Sequence, residues 1–389
     1  MHKAIIILAT ITVMYACGTS KKPYYNSASK SWASTIKTSD NKQILSLFLI
    51  GDTGEIHEET KGHNYVLDAM SAHIKQTEGA TSLVYLGDNI YPAGLPVKDD
   101  PARAHSENII DVQIELANII NGSTYFIPGN HDWNRFSAGG LEAIKRQEEY
   151  IKSKNEDIKF FPKNGCGDPE VVLVNSDLVF VFIDSQWWLQ DWALEKNINQ
   201  GCGTKSREHF LQQMEEIFLA HQNNEIYLFM HHPIKSNGGH GGYFSIKHHI
   251  FPLHEKNIWL PLPIAGSIYP ILRNVIGSEQ DITNKFNQEL TEGLTNMAKE
   301  LDLNIVFVAG HEHGLQHFDE SKIKYIVSGG GSKNDYARKG KNADYVRDGR
   351  GYALLNLYEN SEAWVEYYTV STPGQNPKLE YRALIRAPQ

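Results

Sequence analysis

Five short stretches, in order along the chain, offer side chains able to hold metal ions: Gly51-Asp52-Thr53-Gly54, Gly87-Asp88-Asn89-Ile90-Tyr91, Gly129-Asn130-His131-Asp132, His231-His232-Pro233 and Gly310-His311-Glu312-His313. Together they supply carboxylates, an amide oxygen, a phenol and imidazoles. These hard and borderline ligands suit a pair of cations acting on one substrate, as in a binuclear hydrolase. Taken singly, each stretch is also an ordinary turn or helix cap. Their conjunction carries the metal reading, because each follows an apolar run of β character: Ile44 to Ile50, Leu83 to Leu86, Tyr125 to Pro128, Tyr227 to Met230 and Ile305 to Ala309. Open α/β sheets place their sites at the carboxyl ends of such strands.

The elements that must position these residues alternate. After the strand at 44–50 the pattern predicts a helix at 60–77, strand 82–87, helix 105–120, strand 124–128 and helix 140–153. A hairpin-like pair follows at 170–174 and 178–184, then helix 206–222, strand 225–230, an insertion, helix 285–301 and strand 304–309. Strands near 323–328, 351–358, 362–369 and 378–386 close the chain. The first half reads as βαβ units and the β-rich end as a second sheet. The expected class is therefore α/β, with two packed mixed β-sheets flanked by helices.

The motif set resembles the calcineurin-like metallophosphoesterase superfamily and, within it, the purple acid phosphatases, nearest to the small tartrate-resistant type. Tyr91, three residues after Asp88, matches the tyrosine that binds ferric iron in purple acid phosphatases and that other relatives mostly lack. His240 follows His231 by nine residues with Gly241 after it, and Ser328-Gly329-Gly330-Gly331 is similar to the strand end that closes the family's second sheet. The resemblance runs from about residue 45 to 370. It implies an α/β/β/α sandwich with two metal ions. Asp52, Asp88, Tyr91 and His313 would hold Fe(III), with Asp88 bridging. Asn130, His231 and His311 would complete a divalent site for Fe(II), Zn(II) or Mn(II).

The implied activity is hydrolysis of a phosphorylated small molecule, a phosphate monoester, by a metal-activated hydroxide attacking in line. His131 would donate a proton to the phosphoryl or leaving oxygen, Asp132 would orient its ring, and His240 is the second candidate donor. A phosphodiesterase or nucleotide hydrolase on the same metals is the alternative, and a non-enzymatic surface-tethered binding protein is a third reading. The chain departs from the family at Thr53, where a tryptophan is usual, and at the His231-His232-Pro233 spacing. The stretch 234–309 is also longer than in the small enzymes; its insertion, about 241–281, is expected to cover the cleft.

At 389 residues, 41% hydrophobic and 21% charged, the chain can bury a large core, and the scatter of the motifs favours a single catalytic domain over 45–389. A net charge of −9 with no basic stripe argues against nucleic acid as a partner. Lys3, the apolar run Ala4 to Val13 and Met14-Tyr15-Ala16-Cys17 resemble a bacterial lipoprotein signal. On that reading 1–16 is a signal peptide, Cys17 is acylated as a lipid anchor, and 17–44 is a flexible tether holding an exported, cell-envelope protein on its membrane. A plain secretory signal or short membrane anchor is the alternative, although the run falls short of the ~20 residues a spanning helix needs. Export leaves Cys166 and Cys202, each between glycines, which are expected to pair. Trp187, Trp188 and Trp192 read as packing, Gly329-Gly330-Gly331 as a tight turn, and His248, His249 and His254 as solvated loop histidines.

Overall fold

The computed structural model describes residues 22–34, 41–56, 60, 62–253, 258–263, 265–276, 278–340 and 342–388, and the statements that follow concern these. Runs such as Leu45-Ser46-Leu47-Phe48-Leu49-Ile50 are apolar almost throughout because the strands they form are covered on both faces. Leu47 and Leu49 point into the layer shared by two sheets, where they meet Leu86, Phe182, Phe229 and Val308. Phe48 and Ile50 point the other way, into a second cluster beneath the helices. Period-two alternation thus divides each strand between two cores.

One sheet has the order β15 (Lys378–Arg386), β14 (Ala363–Thr369), β13 (Gly351–Tyr358), β2 (Gln43–Ile50), β3 (Thr81–Leu86), β4 (Thr124–Ile127) and β5 (Lys159–Phe160). Its β2-β3-β4-β5 half is parallel, and β13 joins β2 antiparallel, with Leu354 opposite Phe48. The other sheet runs β1 (Tyr24–Tyr25), β12 (Tyr345–Arg347), β10 (Leu315–Glu320), β11 (Ile323–Ser328), β9 (Asn304–Ala309), β8 (Glu225–Met230), β7 (Leu178–Phe182) and β6 (Glu170–Leu173). Here β7, β8, β9 and β11 are parallel. The described α-helices are α1 (Tyr65–Ile74), α2 (Arg103–Ala117), α3 (Gly140–Lys154), α4 (Ser185–Leu189), α5 (Arg207–Ala220), α6 (Ile246–Ile250), α7 (Ala265–Ile276) and α8 (Lys285–Glu300). Two mixed sheets flanked by helices are the architecture expected from the sequence.

Some boundaries differ for identifiable reasons. The first helix begins at Tyr65 rather than near 60, because the Asn64 side chain caps it by accepting from the backbone N–H groups of Val66 and Leu67. Strands β10 and β12 were not expected. Within the segment read as a flexible tether, Tyr24–Tyr25 pairs with β12, and the Tyr25 hydroxyl donates to the Glu380 carbonyl at 2.8 Å. This part of the segment is therefore docked on the domain; the signal and Cys17 lie outside the described residues. The insertion contains α6 and α7. His248 bonds to Ser245 and His249 to Ser267, while His254 lies outside the described residues. Trp187 and Trp188 are fully buried, as the packing reading requires. Among the described residues no helix is long and apolar enough to cross a membrane.

Cys166 and Cys202 form a disulfide with a Cα–Cα distance of 5.5 Å and a sequence separation of 36. Closing a loop of that length restricts the unfolded chain by about 4 kcal/mol in the chain-entropy view. Replacing both cysteines by serine is expected to lower the urea midpoint accordingly. An unchanged midpoint would show that the bond contributes nothing to stability.

Candidate metal centre

The carboxyl ends of both sheets deliver the site. Asp52 follows β2, Asp88 and Tyr91 follow β3 and Asn130 follows β4, while His231 follows β8 and His311 and His313 follow β9. Asp52, Asp88 and His311 all adopt left-handed backbone, with φ of 61°, 53° and 67°. Such strain is tolerated where the surroundings over-determine it, and here it turns three side chains inward from strand ends. Gly129 allows a close approach: a Cβ there would collide with the Asp88 carboxylate and backbone.

Two groups of potential ligands result. In the first, the Tyr91 hydroxyl lies 3.0 Å from Asp52 Oδ1 and 3.1 Å from His313 Nε2, and His313 Nε2 lies 3.5 Å from Asp52 Oδ1. In the second, His231 Nε2 lies 3.1 Å from Asn130 Oδ1 and 3.2 Å from His311 Nδ1. Asp88 adjoins both: its Oδ1 is 3.4 Å from His231 Nε2, and ligand atoms of Asp52, Asp88 and His231 all lie within 4.8 Å of one another. Outer contacts fix which atom faces inward. His231 Nδ1 donates to the Leu86 carbonyl at 2.7 Å, leaving Nε2 as the ligand atom. Asn130 Nδ2 donates to Gln280 Oε1 at 3.1 Å, so its amide oxygen points at His231. All seven residues singled out as metal ligands from the sequence are thus brought together.

The electrostatics fit cations. Asp52 and Asp88 are buried, and among the described residues their ion-pair partners are histidines, with no lysine or arginine paired to either. Burial disfavours the Asp88 carboxylate, yet His231 and His131 beside it hold its pKa well below the usual range. Burial likewise opposes charge on His231, but Asp88 and then Asp52 push it up to about 9. Burial and the flanking carboxylates Asp52 and Asp88 keep the Tyr91 phenol protonated far above its ordinary range. Buried carboxylates that attract protons onto neighbouring imidazoles are the donor set that bound cations would satisfy directly.

The proton-donor expectations fare differently. His131 sits at the rim, its Nδ1 2.6 Å from the Pro92 carbonyl and its Nε2 3.9 Å from Asp88 Oδ2. Asp132 does not orient it, contrary to the expectation from adjacency. The Asp132 carboxylate is fully buried and accepts from the backbone N–H groups of Asn89, Ile90 and Gly129. It clamps the loop after β3 to the loop after β4, and burial together with Asp88 raises it to about 7. His240 does reach the centre: its ring centroid lies 4.0 Å from that of His311, and its Nδ1 is 2.9 Å from Asp281 Oδ1.

Four residues at the site had no role assigned from the sequence, although Glu312 lies inside the fifth stretch. Asp335 Oδ2 lies 2.5 Å from His313 Nδ1 and orients that ring. Gln280, at the end of the insertion, touches both Asn130 and His311, so the insertion does reach the centre. Glu312 accepts from Ser236 Oγ and from the backbone N–H of His240, holding the glycine-rich loop in place. Lys333 Nζ stands 3.4 Å from the centroid of the Tyr91 ring.

No protein-family model matches the chain. Among curated proteins it is similar to Purple acid phosphatase 3 of Arabidopsis thaliana, at 23% identity over 305 residues, which is 74% of this chain and 65% of that protein. The match therefore spans a little under two thirds of that relative. Purple acid phosphatase 7 of the same plant is 23% identical over 338 residues, 84% of this chain and 83% of that protein. Among solved structures, the purple acid phosphatase PPD1 from yellow lupin (Lupinus luteus) seeds gives a TM-score of 0.50 at 11% identity, over 87% of this chain and 53% of that one. PhoD gives 0.52 at 12%, over 89% and 70%. GAP50, the anchor in the inner membrane complex of Plasmodium, gives 0.54 at 14%, over 88% and 90%. The fold is that of the metallophosphoesterases, and the resemblance to purple acid phosphatases read from the motifs is found by comparison too. Since one neighbour is described as an anchor, fold alone does not establish catalysis, and the site must carry that reading.

Proposed function

We propose that this protein is a binuclear metal-dependent phosphatase acting on phosphate monoesters. The observation that carries the reading is the meeting of two ligand sets, Asp52/Tyr91/His313 and Asn130/His231/His311, at Asp88. The phenol of Tyr91 favours Fe(III) in the first set, and the amide oxygen and imidazoles of the second favour a divalent ion. Two such cations would lower the pKa of a water and neutralise phosphoryl oxygens. The chain's own groups do the rest. Asp132 holds the two ligand loops in register, and Gln280 fixes the amide of Asn130. His131, at the rim, can give the leaving oxygen a proton from Nε2 in its imidazolium form, and His240, braced by Asp281 and Arg273, is the second donor.

A phosphate-release panel separates the readings: a monoester such as p-nitrophenyl phosphate is expected to be turned over much faster than its bis-ester. The reverse preference would make the protein a phosphodiesterase. Oxidised protein is expected to absorb visible light through charge transfer from Tyr91 to ferric iron, and Tyr91→Phe to remove the band. A spectrum unchanged in that variant would exclude Tyr91 as a phenolate ligand to ferric iron and with it the purple acid phosphatase reading. The amino-terminal segment is proposed to tether the enzyme to a membrane through a lipid on Cys17, which radiolabelled fatty-acid incorporation would test.

A further inference from the structure

The loop that follows β11 is pinned to the metal centre on both sides of Lys333. The Ser332 hydroxyl donates to the Asp52 carbonyl at 2.5 Å, and the Asp335 backbone N–H donates to the His313 carbonyl at 2.9 Å. Asp52 and His313 belong to the first ligand set, so the backbone either side of Lys333 is fixed relative to it. That placement lays the ammonium on the face of the Tyr91 ring, 3.4 Å from its centroid. His131 packs edge-on against the same ring, with centroids 4.5 Å apart. Exposure shows which side of the centre is open. The side chains of Asp52, Asp88 and His231 are at most 2% exposed, whereas those of His313, His131 and Lys333 keep 17%, 22% and 34% of their surface. Lys333 therefore stands on the side from which a substrate must enter. Its ion pair with Glu55 is 3.4 Å long and half exposed, an arrangement that contributes little and leaves the ammonium able to take a further acceptor. Arg273, by contrast, is committed to Asp281 through two bonds of 2.6 and 2.7 Å.

We propose that Lys333 is a catalytic residue that binds a phosphoryl oxygen of the substrate and sets the preference for monoesters over diesters. A lysine ammonium is a compact point charge suited to phosphate oxygens. A phosphate monoester carries a charge of about −2 at neutral pH and a diester about −1. A cation beside the phosphoryl group stabilises the more highly charged of the two to a greater extent. The inference rests on the phosphatase reading above and names the side chain that makes the discrimination.

The test measures kcat/KM for p-nitrophenyl phosphate and for bis(p-nitrophenyl) phosphate, and the affinity for inorganic phosphate by calorimetry, in wild-type protein, Lys333→Met and Lys333→Arg, each with its metal content. Lys333→Met is expected to lose about thirtyfold on the monoester, the order of a hydrogen bond to a charged group, and no more than about threefold on the bis-ester. Its affinity for inorganic phosphate is expected to fall about tenfold with both metals retained, and Lys333→Arg to recover part of each loss. Equal losses on the two esters, or an unchanged affinity for phosphate, overturn this proposal alone. So does loss of metal from Lys333→Met, which would make the side chain a support of Tyr91. Wild-type protein that hydrolyses neither ester, or that prefers the bis-ester, overturns the phosphatase reading and this proposal together. Lys333→Gln, which keeps a polar tip without the charge, takes the place of Lys333→Met if the methionine protein does not fold.

Discussion

Asp88→Asn is expected to release phosphate at least about a thousandfold more slowly than wild type, a loss of about 4 kcal/mol in transition-state stabilisation. Asp88 is where the two ligand sets meet. Its Oδ1 lies 3.4 Å from His231 Nε2 and accepts from the backbone N–H of His131 at 2.8 Å. An amide has nearly the same shape and tolerates the left-handed backbone that Asp88 adopts, so folding should survive. What the substitution removes is the negative charge that two cations would share. Metal content should fall with activity while the thermal midpoint stays near that of wild type. Full activity in the Asp88→Asn protein would mean that this carboxylate is structural only.

His131→Ala is expected to keep both metals yet slow hydrolysis of alkyl phosphates by about a hundredfold, the usual contribution of a positioned general acid. Its imidazole is only partly exposed, packs edge-on against Tyr91 with ring centroids 4.5 Å apart, and is held at Nδ1 by the Pro92 carbonyl. Nε2 is then the nitrogen from which the imidazolium form, which burial disfavours, can pass a proton to a leaving oxygen. A good leaving group needs little protonation, so the loss on p-nitrophenyl phosphate should be clearly smaller. Equal losses on both substrates, or a loss of metal, would remove His131 from the donor role.

The candidate ligands were legible because each strand end announces itself locally: an apolar run, then a short turn carrying a residue with a donor atom. The sheets carried the rest, since residues placed at neighbouring carboxyl ends must converge. Partners drawn from distant loops were not legible in this way. Gln280 is 150 residues from Asn130 and Asp335 is 22 from His313, and no local pattern marks either of them. Asp132 misled through adjacency, because neighbouring residues in a loop can point in opposite directions; its carboxylate turns back to backbone N–H groups instead of towards His131. Strand β10 has no period-two signature, because Leu315-Gln316-His317-Phe318-Asp319-Glu320 buries polar Gln316 and His317. The strand pairing of Tyr24–Tyr25 leaves no mark in the sequence, since two residues are too few to show a period.

The central claim is that phosphate release depends on two metals held at Asp88, and metal content measured alongside activity tests it most directly. Purified protein is expected to carry two metal ions per chain, to lose phosphatase activity when they are stripped by a chelator, and to recover it when iron together with a divalent ion is restored. Full phosphate release by protein stripped of metal would contradict the account.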